Sequence, residues 1–87
     1  MTQGPDPRAA VRGFMALVLD MVRIDPDRRP SAEMQRWHRD LATSIGVIPE
    51  TPNTNREMLV GALRLSEVLN GPGGSPADER ARAEVYG

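Results

Sequence analysis

Cysteine and lysine are absent from this chain, and the aromatics come down to one Phe, one Trp and one Tyr. Without cysteine there is no disulfide, no zinc–thiolate site and no thiol nucleophile, and the redox compartment is left open. So few aromatics leave a core of aliphatic and Met side chains, which suits helix packing better than a strand sandwich built from β-branched and aromatic residues. The missing lysine is a codon-usage mark of a GC-rich genome rather than a functional signal. The 11 basic residues, all Arg, face 12 acids for a formal charge of −1, so bulk charge draws neither nucleic acid nor an anionic membrane. Nothing approaches the ~20 consecutive apolar residues of a membrane span. Arg8 and Arg12 do precede an apolar run, in the order of a signal peptide. Asp20 stops that run and no small-residue cleavage site follows, so a cytoplasmic protein is expected.

What the chain does have is helical periodicity. Between Gly13 and Ile24 only Asp20 and Arg23 interrupt the apolar residues. Val11, Phe14, Met15, Val18, Met21 and Val22 make one face, Leu17 and Ile24 extend it sideways, and Arg12, Ala16, Asp20 and Arg23 are left for solvent. After a flexible lead-in over residues 1–6, Asp6 is placed to cap a helix whose first residue is Pro7. The prolines of Asp25-Pro26-Asp27-Arg28-Arg29-Pro30 end that helix. Ser31 caps a second helix with a narrow stripe of Met34, Trp37, Leu41 and Ile45, and Gly46 and Pro49 close it. Thr54-Asn55-Arg56-Glu57 is a capping box for a third, which Asn70-Gly71-Pro72-Gly73-Gly74 stops. Ser75 opens a helix-prone tail with only Ala81 and Val85 as an apolar stripe, expected to fray or to depend on a partner.

The expected fold is therefore all-α: one domain over residues 1–87, a small antiparallel three-helix bundle with a weak fourth C-terminal helix, with helices at about 7–24, 31–45, 54–70 and 76–86. A chain this short buries only ~60% of the surface its unfolded form exposes. Phe14, Val18 and Met21 are expected to pack on Leu59, Leu63 and Leu69. Two wide apolar helices and one narrow one cannot hide all of each other, and contiguous apolar surface left on a protein marks association. The interface expected from that surplus comprises Phe14, Leu17, Ile24, Trp37, Leu65 and Val68, and the partner is a protein, a second copy of the chain first of all.

Two local resemblances qualify this. Asp40-Leu41-Ala42-Thr43-Ser44-Ile45-Gly46-Val47-Ile48-Pro49-Glu50-Thr51 resembles the first helix and turn of bacterial helix-turn-helix regulators, with Ala42 as the small crossing residue, Gly46 in the turn, Ile45 and Val47 flanking it, and Pro-Glu-Thr opening a recognition helix. The resemblance implies DNA binding, with Glu50, Thr51, Asn53, Asn55 and Arg56 facing bases and phosphates. The chain departs from it at Pro52, inside that helix, and at Asn53 and Asn55, where apolar residues belong. Leu19 to Met34, with its Asp25-Pro26-x-x-Arg29-Pro30-Ser31-Ala32 turn, is similar to the last two helices of a protein-kinase catalytic domain. In that family the residue matching Arg29 pairs with an acid of an activation-segment motif. This chain has no such motif, no glycine-rich loop and no catalytic-loop Asp with its Asn, so no kinase activity follows.

No catalytic constellation emerges. His38, the one histidine, stands at the edge of the second helix's stripe with neither nucleophile nor further metal ligands in view. Asp25 and Asp27 are turn residues, Asp78 and Glu79 sit in a first turn where the helix dipole favours acids, and Glu33, Glu57 and Glu67 are caps or solvated surface. The sequence thus points to a non-enzymatic interaction module without cofactor or metal, an adaptor, regulator or accessory subunit. A small helix-turn-helix DNA-binding regulator is the alternative.

Overall fold

The first three helices each start where a short polar side chain takes up a free amide. In the computed structural model, which describes residues 6–71 and 76–86, α1 (Pro7–Ile24), α2 (Ala32–Ile45), α3 (Asn55–Asn70) and α4 (Pro76–Tyr86) account for all the regular structure. The lead-in over residues 1–5, the Pro72–Gly74 part of the third helix's stop, the Ser75 cap and Gly87 lie outside the described residues. The Asp6 carboxylate accepts from the Arg8 amide at 3.0 Å, and Pro7 takes the first helical position, where no N–H is needed. Ser31 Oγ accepts from the Met34 amide at 3.2 Å, and Thr54 Oγ1 from the Glu57 amide at 3.1 Å. Glu57 completes the box, its carboxylate accepting from the Thr54 hydroxyl and the Asn53 amide.

The end of α2 is a Schellman turn. Gly46 adopts φ +91°, its amide bonds Thr43 O at 3.2 Å, and the Val47 amide bonds Ala42 O at 2.9 Å, which folds Val47 onto Ala42 in one small apolar cluster. Segment 47–54 is not helical.

The central pair is α1 and α3, which share the largest single interface and run antiparallel. Arg8 near the start of α1 donates to Leu69 O at the end of α3, and Asn55 at the start of α3 donates to Asp25 O at the end of α1. α2 starts at the same end of the molecule as α3. The Asn55 amide bonds Arg28 O at 2.8 Å and the Arg56 amide bonds Pro26 O at 3.1 Å, while Gln35 reaches Pro52 O at 3.3 Å. The 14 residues of α2 rise ~1.5 Å each, about 21 Å in all. The segment after Gly46, extended at up to ~3.5 Å per residue, is long enough to return across that length before α3 begins. α4 runs back along α3, with Ser66 meeting Asp78 and Glu84 reaching Arg23.

The main core contains Phe14, Met15, Val18, Leu19 and Val22 of α1, Met34 of α2, Met58, Leu59, Ala62 and Leu63 of α3, and Ala81 of α4. Val11, Ala42 and Leu65 form a second cluster, joined by Leu69. Leu69 therefore packs with Val11 and Leu65, one layer away from the Phe14, Val18, Leu59 and Leu63 group in which the sequence places it. The fourth helix packs against α1 and α3, with Ala81 and Asp78 both 0% exposed, and its apolar stripe is as thin as expected. No helix among the described residues is long and apolar enough to cross a membrane.

Candidate functional site

The expected interface residues divide. Phe14 and Leu65 are 0% and 1% exposed inside the chain, so neither offers surface to a partner, and for these two the sequence reading is corrected. Both occupy the inner face of a helix in the α1–α3 pair, where intrachain packing takes them first. Leu17, Ile24, Trp37 and Val68 remain exposed, at 42%, 83%, 39% and 55%. Leu17, the half-buried Met21 and Ile24 recur at i, i+4 and i+7 on α1, an apolar stripe of the kind that seats against another helix. Trp37 packs edge-on against Phe14, ring centroids 4.9 Å apart at 63°. Leu17 lies one turn along α1 from Phe14. Val68 sits at the end of α3 that adjoins Arg8, away from Ile24, and does not extend this stripe.

The second feature is a crevice of about 30 Å³ between α2, α3 and the 47–54 segment, lined by His38, Ala42, Val47 and Leu65 with Glu50, Glu57, Gly61 and Arg64 around it. His38 is 4% exposed rather than at a boundary, and its Nδ1 has no hydrogen-bond partner. The inward face of α2 is Met34, His38 and Ala42, turned from the expected Met34, Trp37, Leu41 and Ile45 stripe. Gly61 makes that rotation possible. A Cβ there would stand 2.8 Å from His38 Nε2, so a glycine is what lets the imidazole approach α3 this closely. A glycine inside an otherwise apolar helix is the sequence signal of such a close approach. Burial pushes the His38 imidazole below its usual proton affinity, and the nearby Glu50 charge offsets part of that. Glu50 itself is held by Arg64 at 2.9 Å across an exposed pair.

Gly61→Val fills the space of the ring. The crowding should cost about 1–3 kcal/mol in thermal unfolding, and His38→Ala in the same chain should return part of it.

Of the residues expected to meet nucleic acid, Asn55 and Arg56 are already engaged within the chain. Asn55 is 3% exposed and its Nδ2 donates to Asp25 O at 3.0 Å, so it locks α3 to the end of α1 and cannot reach a base. Arg56 pairs with Asp27 at 3.2 Å, the Asn53 backbone N–H donates to Glu57, and the Thr51 and Asn53 side chains are exposed. The helix-turn-helix resemblance ends at Gly46, because the stretch that would form the recognition helix is the extended return to α3.

A buried polar pair goes unanticipated by the periodicity. Ser66 Oγ donates to Asp78 at 2.6 Å, with the two residues 3% and 0% exposed, a hydroxyl and a carboxyl in contact but sealed from any substrate. Among the described residues no three His, Asp or Glu side chains converge as a metal site. No family model, curated protein or solved structure matches the chain.

Proposed function

We propose that this chain is a non-enzymatic helical interaction module that pairs with a second copy of itself, serving as an adaptor, regulator or small accessory subunit. The observation that carries this reading is the α1 stripe of exposed Leu17 and Ile24 around the half-buried Met21, together with the half-exposed Trp37 on α2. A two-fold axis through Met21 lets Leu17 of each copy meet Ile24 of the other, the self-complementary geometry most dimers use. A net charge of −1 leaves little repulsion between copies. Burial of a Leu or Ile side chain is worth about 1.5–3 kcal/mol, roughly a tenfold to hundredfold change in dissociation constant per residue.

Trp37, the one tryptophan, reports on this directly. Dilution of the wild-type chain should shift its emission to the red as a second copy leaves, whereas Leu17→Glu combined with Ile24→Glu should give the red-shifted spectrum at every concentration with its helix content intact. A wild-type spectrum independent of concentration and identical to that of the double variant would defeat the reading.

A further inference from the structure

We propose that His38 is an acid-sensitive wedge: neutral, it closes the crevice between α2, α3 and the 47–54 segment, and on taking a proton from solvent it swings off Gly61 toward Glu50, displaces Arg64 from that carboxylate and lets water into the crevice. The neutral ring has a single N–H, and its buried Nδ1 goes unpartnered. An imidazolium has two N–H donors and a full charge, and the closed position supplies no acceptor at Nδ1, so the closed packing resists protonation. The groups around the ring decide where it goes. From α1 it meets the Phe14 ring, centroids 6.2 Å apart, which brings no charge. The charged side chains lining the crevice are Glu50 from the 47–54 segment and Glu57 and Arg64 from α3, with none contributed by α2 itself. Glu57 is occupied by Thr54 and Asn53 at the start of α3. Glu50 has only its exposed pair with Arg64, and an exposed pair is cheaply exchanged. The crevice, at about 30 Å³, already has room for on the order of two water molecules at ~10–15 Å³ each. The lowered proton affinity of the ring, caused by its burial, agrees with this geometry.

The test is an NMR titration of the full chain, in which the single histidine gives one unambiguous set of imidazole signals. The ring midpoint is expected below 6.5, the value of an unburied imidazole. Glu50→Gln, an exposed change, should lower it further, while Glu33→Gln on the outside of α2 should leave it in place. Over the same pH range the amides of Ala42, Val47 and Gly61 should exchange several-fold faster than their intrinsic pH dependence allows. A midpoint at or above 6.5, a midpoint indifferent to Glu50→Gln, or crevice amides that ignore the ring titration would each overturn the proposal.

Discussion

Phe14→Ala should leave the chain largely unfolded in mild denaturant. The Phe14 side chain is 0% exposed and belongs to the main core, where it touches the edge of Trp37 at 4.9 Å and lies near His38 at 6.2 Å. It is the point at which α1 meets α2 within the α1–α3 pair. Truncating a buried Phe costs about 3–5 kcal/mol through lost transfer energy and the cavity left behind. Domains have about 5–15 kcal/mol of stability in total, and small ones sit low in that range. Urea unfolding followed by circular dichroism should therefore show the midpoint displaced to low denaturant or the native baseline lost. Phe14→Leu, which keeps most of the volume, should retain a folded baseline. A loss for Phe14→Ala below about 1 kcal/mol is out of keeping with a core position.

Ser66→Ala should release α4 while α1 to α3 stay folded. Its hydroxyl is one of the groups that satisfy the buried Asp78 carboxyl, and leaving a buried acceptor short of a donor costs about 1–3 kcal/mol. The remaining holds on the helix are the buried Ala81, the half-buried Val85 and surface ion pairs. α4 has 11 residues, under the ~12–15 at which even favourable helices become stable alone. Its ion pairs, Arg23–Glu84 at 3.1 Å and Arg82–Glu67 at 2.8 Å, are partly exposed and worth about 0–1 kcal/mol each. Hydrogen exchange should show α4 amides losing protection with the α1 and α3 amides still slow. Unchanged protection in α4 would transfer its docking to Ala81 and the half-buried Val85 instead.

Local chemistry makes the helices legible in the sequence itself. Asp6, Ser31, Thr54 with Glu57, and Gly46 each act on backbone groups within a few residues, so the pattern that signals them in sequence is the interaction itself. The surplus apolar girth of α1 was equally readable, and Leu17 and Ile24 do stand out from the core. What periodicity cannot supply is which neighbour arrives at a given face. His38 turns inward because Gly61, far along the chain, leaves room for it, and Trp37 turns outward for the same reason. Asn55 is buried because the 47–54 segment brings α3 back to the carbonyls of the α1–α2 turn. Asp78 is a first-turn acid by its position and a buried residue where Ser66 of α3 faces it. Each of these depends on a long-range partner, and a polar residue at such a place reads as surface until the partner is known.

Sedimentation equilibrium of the full chain over a wide concentration range tests the central claim most directly. Self-pairing through α1 predicts a mass rising from 9.5 kDa toward twice that value, with Leu17→Glu combined with Ile24→Glu holding the chain at 9.5 kDa. A well-folded wild-type chain that stays at 9.5 kDa throughout would contradict it.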